Sequence, residues 1–479
     1  MDDWLTESAT QLAGRIRRRE VSSEAVVSAH IDRAKQTRVA LGAIVCDRFD
    51  EAMREARAAD AQIARDPSAS LPPLLGVPCS IKECFALTGM PQSAGLVARR
   101  DYRAPRDAVT VARLRAAGAI PIGVTNTSEL CMWMESTNRL YGRTNNAYDV
   151  GRTAGGSSGG EGAIVGAGAA PFGLGSDVGG SIRMPAFFNG VFGHKPTPGL
   201  ISNDGQFPTA HGDAQRYLCS GPITRRAEDL WPLLKILAGG DAPGDPDRVE
   251  LRGLVVLDIA ENGRLGVSRE VRAAQVSAAH ALARKGVNVR AFSSPRLRHS
   301  LEMWSVLMSE AGGPTFAELL GEGRALPAAR ELGLWALGRS QHTFIAIALA
   351  LVEKLPALKG DQARRFVDMA RELRVELTTA MGEGGALLFP PYPTTAPRHN
   401  APMLLPVQWM YTAIFNVLEM PVTQVPVGLG AGGLPLGVQV ASSPGRDDVT
   451  VALAIALERE LGGWVSPGKT ACARPPFGD

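Results

Sequence analysis

Three features of the sequence predict an α/β layered fold. Short apolar runs of strand length alternate with longer helical stretches, the pattern that layered α/β folds produce. Hydrophobic residues make up 45% of the 479 positions and charged residues 21%, a globular balance that supplies a core and excludes a disordered chain. The centre, 151–193, is dense in Gly, Ala and Ser among apolar residues. That density is too localised and too apolar for a flexible linker. It lets backbone approach backbone or a ligand closely. At roughly 100–200 residues per domain, the length allows about two to four domains or one large α/β domain.

The elements follow in order. Ser22 or Ser23 can cap a helix whose apolar positions include Val26, Ala29 and Ala34, since a serine hydroxyl accepts from free N–H groups at a helix start. A second helix near 52–65 is rich in Ala, Glu and Arg, and Pro67 with Pro72-Pro73 ends it. Leu74-Leu75-Gly76-Val77 reads as a buried strand, 109–117 as a helix closed by Gly118, and 119–124 as the next strand. The loop composition of 239–247 separates a core segment from 250–380. There Met303, Trp304, Leu307, Met308 and Trp335 recur at partly helical spacing, either as core or as a lid or wall over an apolar substrate. Strands at 387–389, 421–427 and 436–440 precede a last helix at 447–461, stopped by Gly462-Gly463.

Charge and cysteine content narrow the function. Lys plus Arg is 51 and Asp plus Glu is 48, which argues against a dedicated nucleic-acid binder. The cluster Arg15, Arg17, Arg18 and Arg19 lacks interleaved aromatics and reads as a solvated helix face. Cys46, Cys79, Cys84, Cys131, Cys219 and Cys472 form no CxxC pair, so they read as reduced intracellular thiols without a zinc site. No metal and no cofactor is expected. Met1-Asp2-Asp3-Trp4 does not open a signal peptide. The longest strictly apolar run, 344–352, falls short of the roughly 20 residues a span needs. A soluble cytoplasmic protein is expected.

Three polar residues stand out in glycine-bearing contexts: Lys82 after Gly76-Val-Pro-Cys-Ser-Ile, Ser157 in Gly155-Gly-Ser-Ser-Gly-Gly160, and Ser181 in Asp177-Val-Gly-Gly-Ser181. A serine hydroxyl is a weak nucleophile until a base takes its proton. A desolvated lysine can be that base, because burial disfavours its charged form. Gly179-Gly180-Ser181 can converge backbone N–H groups on one oxygen, as an oxyanion hole requires. Residue type alone favours a surface or salt-bridged lysine and a plain tight turn; the combination is what points to chemistry. Two other motifs compete. The run 155–161 resembles a phosphate loop but lacks the following Gly-Lys-Ser/Thr. Gly156-Ser-Ser158-Gly-Gly160 fits a nucleophile elbow on Ser158, with His194, His211 or His399 as partner, although none of these has a distinctive setting.

Taken together, Gly155-Gly-Ser-Ser-Gly-Gly-Glu161 and Asp177-Val-Gly-Gly-Ser-Ile-Arg183 within 76–196 resemble the amidase signature family. The tract Thr125-Asn-Thr-Ser-Glu-Leu-Cys-Met-Trp-Met-Glu-Ser136, with Tyr141-Gly-Arg-Thr-Asn-Asn146, is most similar to the fatty-acid amide hydrolase branch. So are Lys82-Glu-Cys-Phe85 and Gly433-Leu-Pro-Leu-Gly-Val-Gln439. The resemblance spans most of the chain and is weakest over about 240–380. It implies a large mixed β-sheet covered by helices on both faces. It also implies a single domain over 1–479, with a signature core at 70–225, a variable substrate lid at about 240–380, and the rest of the core at 385–465.

The roles it implies are specific. Ser181 is the acyl-forming nucleophile, Ser157 the bridging serine on a cis peptide after Gly156, and Lys82 the base. The 24 residues from Ser157 to Ser181 fit the family spacing. The N–H groups of Val178, Gly179, Gly180 and Ser181 form the oxyanion hole, and Ser158, Asp177 and Arg183 hold the relay. Cys131, Met132 and Met134 contribute to an acyl pocket, or else are ordinary core. The expected activity is hydrolysis of amides with hydrophobic acyl or aryl groups. Two alternatives stand beside it. One is the glutamine-hydrolysing subunit of a tRNA-dependent amidotransferase, a branch with Asp-Asn where this chain has Glu83-Cys84. The other is a catalytically silent binding protein on the same fold. The expected partner is a small-molecule amide, with no nucleic acid, no membrane span, and at most a second copy of the chain in a homodimer.

Overall fold

Eleven strands form one mixed sheet in the computed structural model, which describes residues 3–65, 70–240, 242–353 and 358–468. Met1, Asp2, Pro67 and Cys472 lie outside the described residues. In chain order the strands are β1 (Ile44–Asp47), β2 (Pro78–Lys82), β3 (Ile120–Thr125), β4 (Phe172–Asp177), β5 (Phe192–Lys195), β6 (Cys219–Thr224), β7 (Val255–Ile259), β8 (Asn288–Phe292), β9 (Ala386–Phe389), β10 (Val422–Leu429) and β11 (Pro435–Ser442). Their spatial order is β1-β3-β2-β4-β6-β5-β10-β11-β9-β7-β8. β2 runs parallel to both β3 and β4, and β7 runs parallel to β8 and β9. The other neighbours are antiparallel.

Every residue of β2, β3, β4, β6 and β9 is buried. A strand buried along its whole length has both faces covered, which is why these strands read as continuous apolar or small-residue runs rather than alternating ones. The edge strand β8 is mostly exposed. Helices Val109–Ala116 and Gly159–Gly166 lie in the connections from β2 to β3 and from β3 to β4, the crossovers by which parallel strands in one sheet are joined; the second carries the chain past β2 to its other side.

Local chemistry explains the helix ends. Ser22 accepts the Ala25 N–H and caps Ser23–Leu41, while Gly42 closes it at φ 57°. The helix 109–116 ends before Gly118, which takes φ 89°. Gly462, at φ 86°, stops Asp447–Leu461. Arg17, Arg18 and Arg19 are exposed and Arg15 is half-buried, but only Arg15 and Arg17 lie in the helix Ala9–Arg17; Arg18 caps its end and Arg19, at φ 58°, lies beyond it.

One expectation fails. Residues 74–77 form a turn, and the strand begins at Pro78. Gly76 adopts φ 83°, and the Val77 N–H bonds back to the Leu74 carbonyl at 3.0 Å. Leu74 and Val77 are nonetheless buried, so the apolar run reflects burial rather than strand periodicity. The strands at 44–47, 172–177, 192–195, 219–224, 255–259 and 288–292 were not anticipated. β7 and β8 place part of the 240–380 stretch within the sheet. The helices that follow, Ser300–Glu310 through Phe344–Val352, lie over the signature segment. Among the described residues, no helix is long and apolar enough to cross a membrane.

Candidate active site

β2 and β4 are parallel neighbours, so their carboxyl ends arrive together, as in other α/β sheets that bind ligands beyond strand C-termini. β2 ends at Lys82 and β4 at Asp177. Lys82 is fully buried, with Nζ 2.7 Å from Ser157 Oγ and 2.9 Å from Ser176 Oγ. Ser157 follows a cis Gly156–Ser157 bond. Ser158 N–H donates to the Ser181 carbonyl at 3.2 Å, which sets the Ser157 loop against the loop that carries Ser181. Lys82 and Ser157 thus meet beyond the ends of two strands, with the Ser181 backbone held against the loop that carries Ser157.

The Ser157 loop is braced from below. Ser136 Oγ donates to the Ser157 carbonyl at 2.9 Å and accepts the Gly159 N–H at 2.8 Å. Ser158 Oγ donates to the Ser176 carbonyl at 3.3 Å. The histidines that an elbow on Ser158 would need are occupied or exposed elsewhere. His194 bonds Asp447 and Thr423, His399 bonds the Val150 carbonyl, and His211 faces solvent.

The loop that carries Ser181 is organised by Asp177. Its Oδ1 accepts the Gly180 N–H at 2.7 Å and Arg183 Nη2 at 2.9 Å, and its Oδ2 accepts the Ile182 N–H at 3.0 Å. Burial by itself would raise the Asp177 pKa. The Arg183 charge and these hydrogen bonds outweigh it and hold the carboxyl below the usual range. Arg183 is in turn fully buried and bonded to the Thr412 carbonyl, Asn416 and Gln439. The Gly180 N–H is therefore engaged, while those of Val178, Gly179 and Ser181 have no hydrogen-bond partner among the described residues. Glycine is required on both sides of this turn. A Cβ at Gly179 would meet the Trp409 ring at 2.9 Å, and Gly180, at φ 120°, would drive one into Thr412.

Two carboxyls flank the lysine. Glu161 accepts from Ser80 and Thr125, and Glu83 accepts from Ser93, Tyr141 and the Ala94 N–H. Burial pushes each up to about 7, against the pull of those hydrogen bonds and, for Glu161, of the Lys82 charge. Cys131 and Cys84 lie close together beside Lys82. The neighbouring Cys84 thiol lowers the Cys131 pKa, while burial raises that of Cys84.

A cavity of about 700 Å³ lies on the other side of the 129–139 segment. Met132 and Trp133 form its near wall, and Phe316, Trp335, Phe344 and Leu349 its far wall. Of the expected pocket residues, Met132 lines this cavity, Met134 packs beside Phe188 and Tyr392, and Cys131 sits next to Lys82. The stripe around 303–308 divides its roles. Met303 is core, whereas Trp304 donates its indole N–H to the Val178 carbonyl at 3.0 Å and stacks edge-on against Trp409. Sequence reasoning missed Ser176, Ser136, Glu161 and the distant Thr412, Asn416 and Gln439. Ser176 and Ser136 lay inside tracts already singled out, but only strand pairing and loop packing bring them to Lys82 and Ser157.

Comparison with known proteins agrees with this geometry. The amidase family model matches residues 25–451. Fatty-acid amide hydrolase 2-A of Danio rerio is 45% identical, over 97% of this chain and 90% of its own length. A glutamyl-tRNA(Gln) amidotransferase subunit of Acidothermus cellulolyticus is 30% identical, over 96% and 95% respectively. A crystal structure of an amidase superposes with a TM-score of 0.79 at 29% identity, covering 95% of this chain and 100% of that one. The chain belongs to the amidase signature family and is an amide hydrolase.

Proposed function

We propose that this amidase cleaves carboxylic amides bearing hydrophobic acyl or aryl groups, through an acyl-enzyme on Ser181. The observation that carries the reading is the contact between the wholly buried Lys82 Nζ and Ser157 Oγ at 2.7 Å, on a loop hydrogen-bonded to the Ser181 backbone.

In the first half-reaction a neutral Lys82 takes the Ser157 hydroxyl proton as Ser157 takes that of Ser181. The Ser181 oxygen adds to the amide carbonyl. The resulting oxyanion lies against the N–H groups left open by Val178, Gly179 and Ser181. The proton then travels back through Ser157 to the amide nitrogen as the C–N bond breaks, because an amine anion is too basic to leave unprotonated. Water enters by the same relay in reverse and releases the acid.

The cavity beside Met132 and Trp133, whose walls mix Phe316, Trp335, Phe344 and Leu349 with polar groups such as Glu135 and Arg139, and the greater identity to a fatty-acid amide hydrolase than to an amidotransferase component, support a hydrophobic acyl group. Two measurements test the reading. A fluorophosphonate probe is expected to label Ser181. Labelling of Ser158 would favour the elbow, and no labelling a silent binding protein. Rates on amides graded from acetamide to oleamide are expected to rise with acyl length. Glutaminase activity that appears only with added partner subunits would point to the amidotransferase role instead.

A further inference from the structure

Glu129 has a role that its place in the near wall of the cavity does not explain. It opens the short 3-10 turn Glu129–Cys131, and the next two residues, Leu130 and Cys131, take φ 52° and 61°. Its carboxylate is only 4% exposed, yet no Lys or Arg among the described residues ion-pairs with it. Oε1 lies 2.7 Å from His342 Nδ1, and Oε2 accepts both the N–H and the hydroxyl of Thr343 at 2.9 Å.

Thr343 is the N-cap of the helix Phe344–Val352 and accepts the Ala346 N–H at 3.2 Å. A carboxylate at this end is favoured by the free N–H groups and the helix dipole. Arg139 Nε adds a bond to the His342 carbonyl at 3.3 Å. A carboxylate of the signature segment therefore grips the N-cap residue of a helix, 214 residues later in the chain.

That helix is the far wall of the cavity, through Phe344, Ile345 and Leu349. The near wall runs on to Ser136, which holds the Ser157 loop. The grip thus fixes the width of the cavity relative to the bridging serine.

We propose that Glu129 is a positioning residue that sets acyl selectivity: by clamping His342 and Thr343 it holds the 344–352 helix as the wall that bounds an apolar acyl chain. The inference rests on the reading that the cavity receives the acyl part of an amide substrate.

The test uses the full chain with Glu129→Gln on the core side, His342→Ala on the helix side, and the double variant. The quantity read is the ratio of kcat/KM for a long-chain amide to that for acetamide, together with hydrogen exchange at 343–349, and thermal melting confirms folding. Each single variant is expected to lower the ratio at least tenfold and to speed exchange at 343–349. The double variant is expected to match the worse single one, since both break one clamp. An unchanged ratio in an active enzyme, unaltered exchange, or fully additive losses would overturn the inference alone. A native chain inert on every amide would overturn the functional reading and this inference with it, while hydrogen exchange would still report whether the clamp exists.

Discussion

Around Lys82 and Asp177 almost every buried polar group has a partner, whereas the helices of 328–352 leave large apolar side chains in water. Lys82, Asp177 and Arg183 are fully buried; Lys82 bonds Ser157 and Ser176, and Asp177 bonds Arg183. Trp335, Leu337, Phe344 and Val352 are 37%, 71%, 38% and 58% exposed. Removing a partner in the first region strands a buried polar or charged atom, which is costly. In the second region it loosens packing that was never complete. The two regions are thus held by different physics, the first by dense polar bonding and the second by incomplete apolar packing tied down at a few points such as Glu129.

The comparison can be broken from either side. Ser181→Ala is expected to abolish turnover and probe labelling while the melting temperature stays near that of the native chain; residual labelling at another serine would move the nucleophile. Lys82→Ala should lower amide turnover by about 10²–10⁴-fold, measured as kcat/KM on one amide, and full activity is incompatible with the relay. Asp177→Asn breaks a buried ion pair with Arg183 and is expected to cost about 3–5 kcal/mol in denaturant unfolding. A loss below about 1 kcal/mol, the range of exposed pairs, would show that the loop does not depend on that charge.

A smaller effect comes from the two raised carboxyls. Glu83 and Glu161 titrate near 7 in the folded chain against 4.5 as free side chains. The folded state therefore keeps protons that the unfolded state loses. The stability this provides is full below about 4.5 and is lost as pH rises towards 7. Glu161→Gln is expected to flatten the fall of melting temperature across that window; an unchanged slope would place the ionisation elsewhere. Asp177, whose pKa is depressed, acts in the opposite sense, and its contribution is lost only as pH falls below the ordinary aspartate value. The smallest change in stability is expected for Phe344→Ala, about 1 kcal/mol because the ring is already partly exposed. Its KM for long-chain amides should rise all the same, and an unchanged KM would remove Phe344 from the acyl wall.

Helix ends were legible because their signals are local: Ser22 caps within three residues, and Gly118 and Gly462 stop helices through a backbone angle that glycine tolerates. The serines and the lysine were legible through the company they keep in short glycine-bearing motifs. The strand expected at 74–77 was misread because a buried turn is as apolar as a buried strand. Ser176 gave no signal, since its value lies in the pairing of β4 beside β2.

The chain by itself determined the helix stops, the glycines that follow Asp177 and the choice of the three side chains proposed to react, because each depends on residues a few positions apart. Only the tertiary structure decided which groups support them. Arg183 reaches Thr412, Asn416 and Gln439, and Glu129 reaches Thr343, across more than two hundred residues. Contacts of that span follow from strand order and helix packing, which no local pattern encodes.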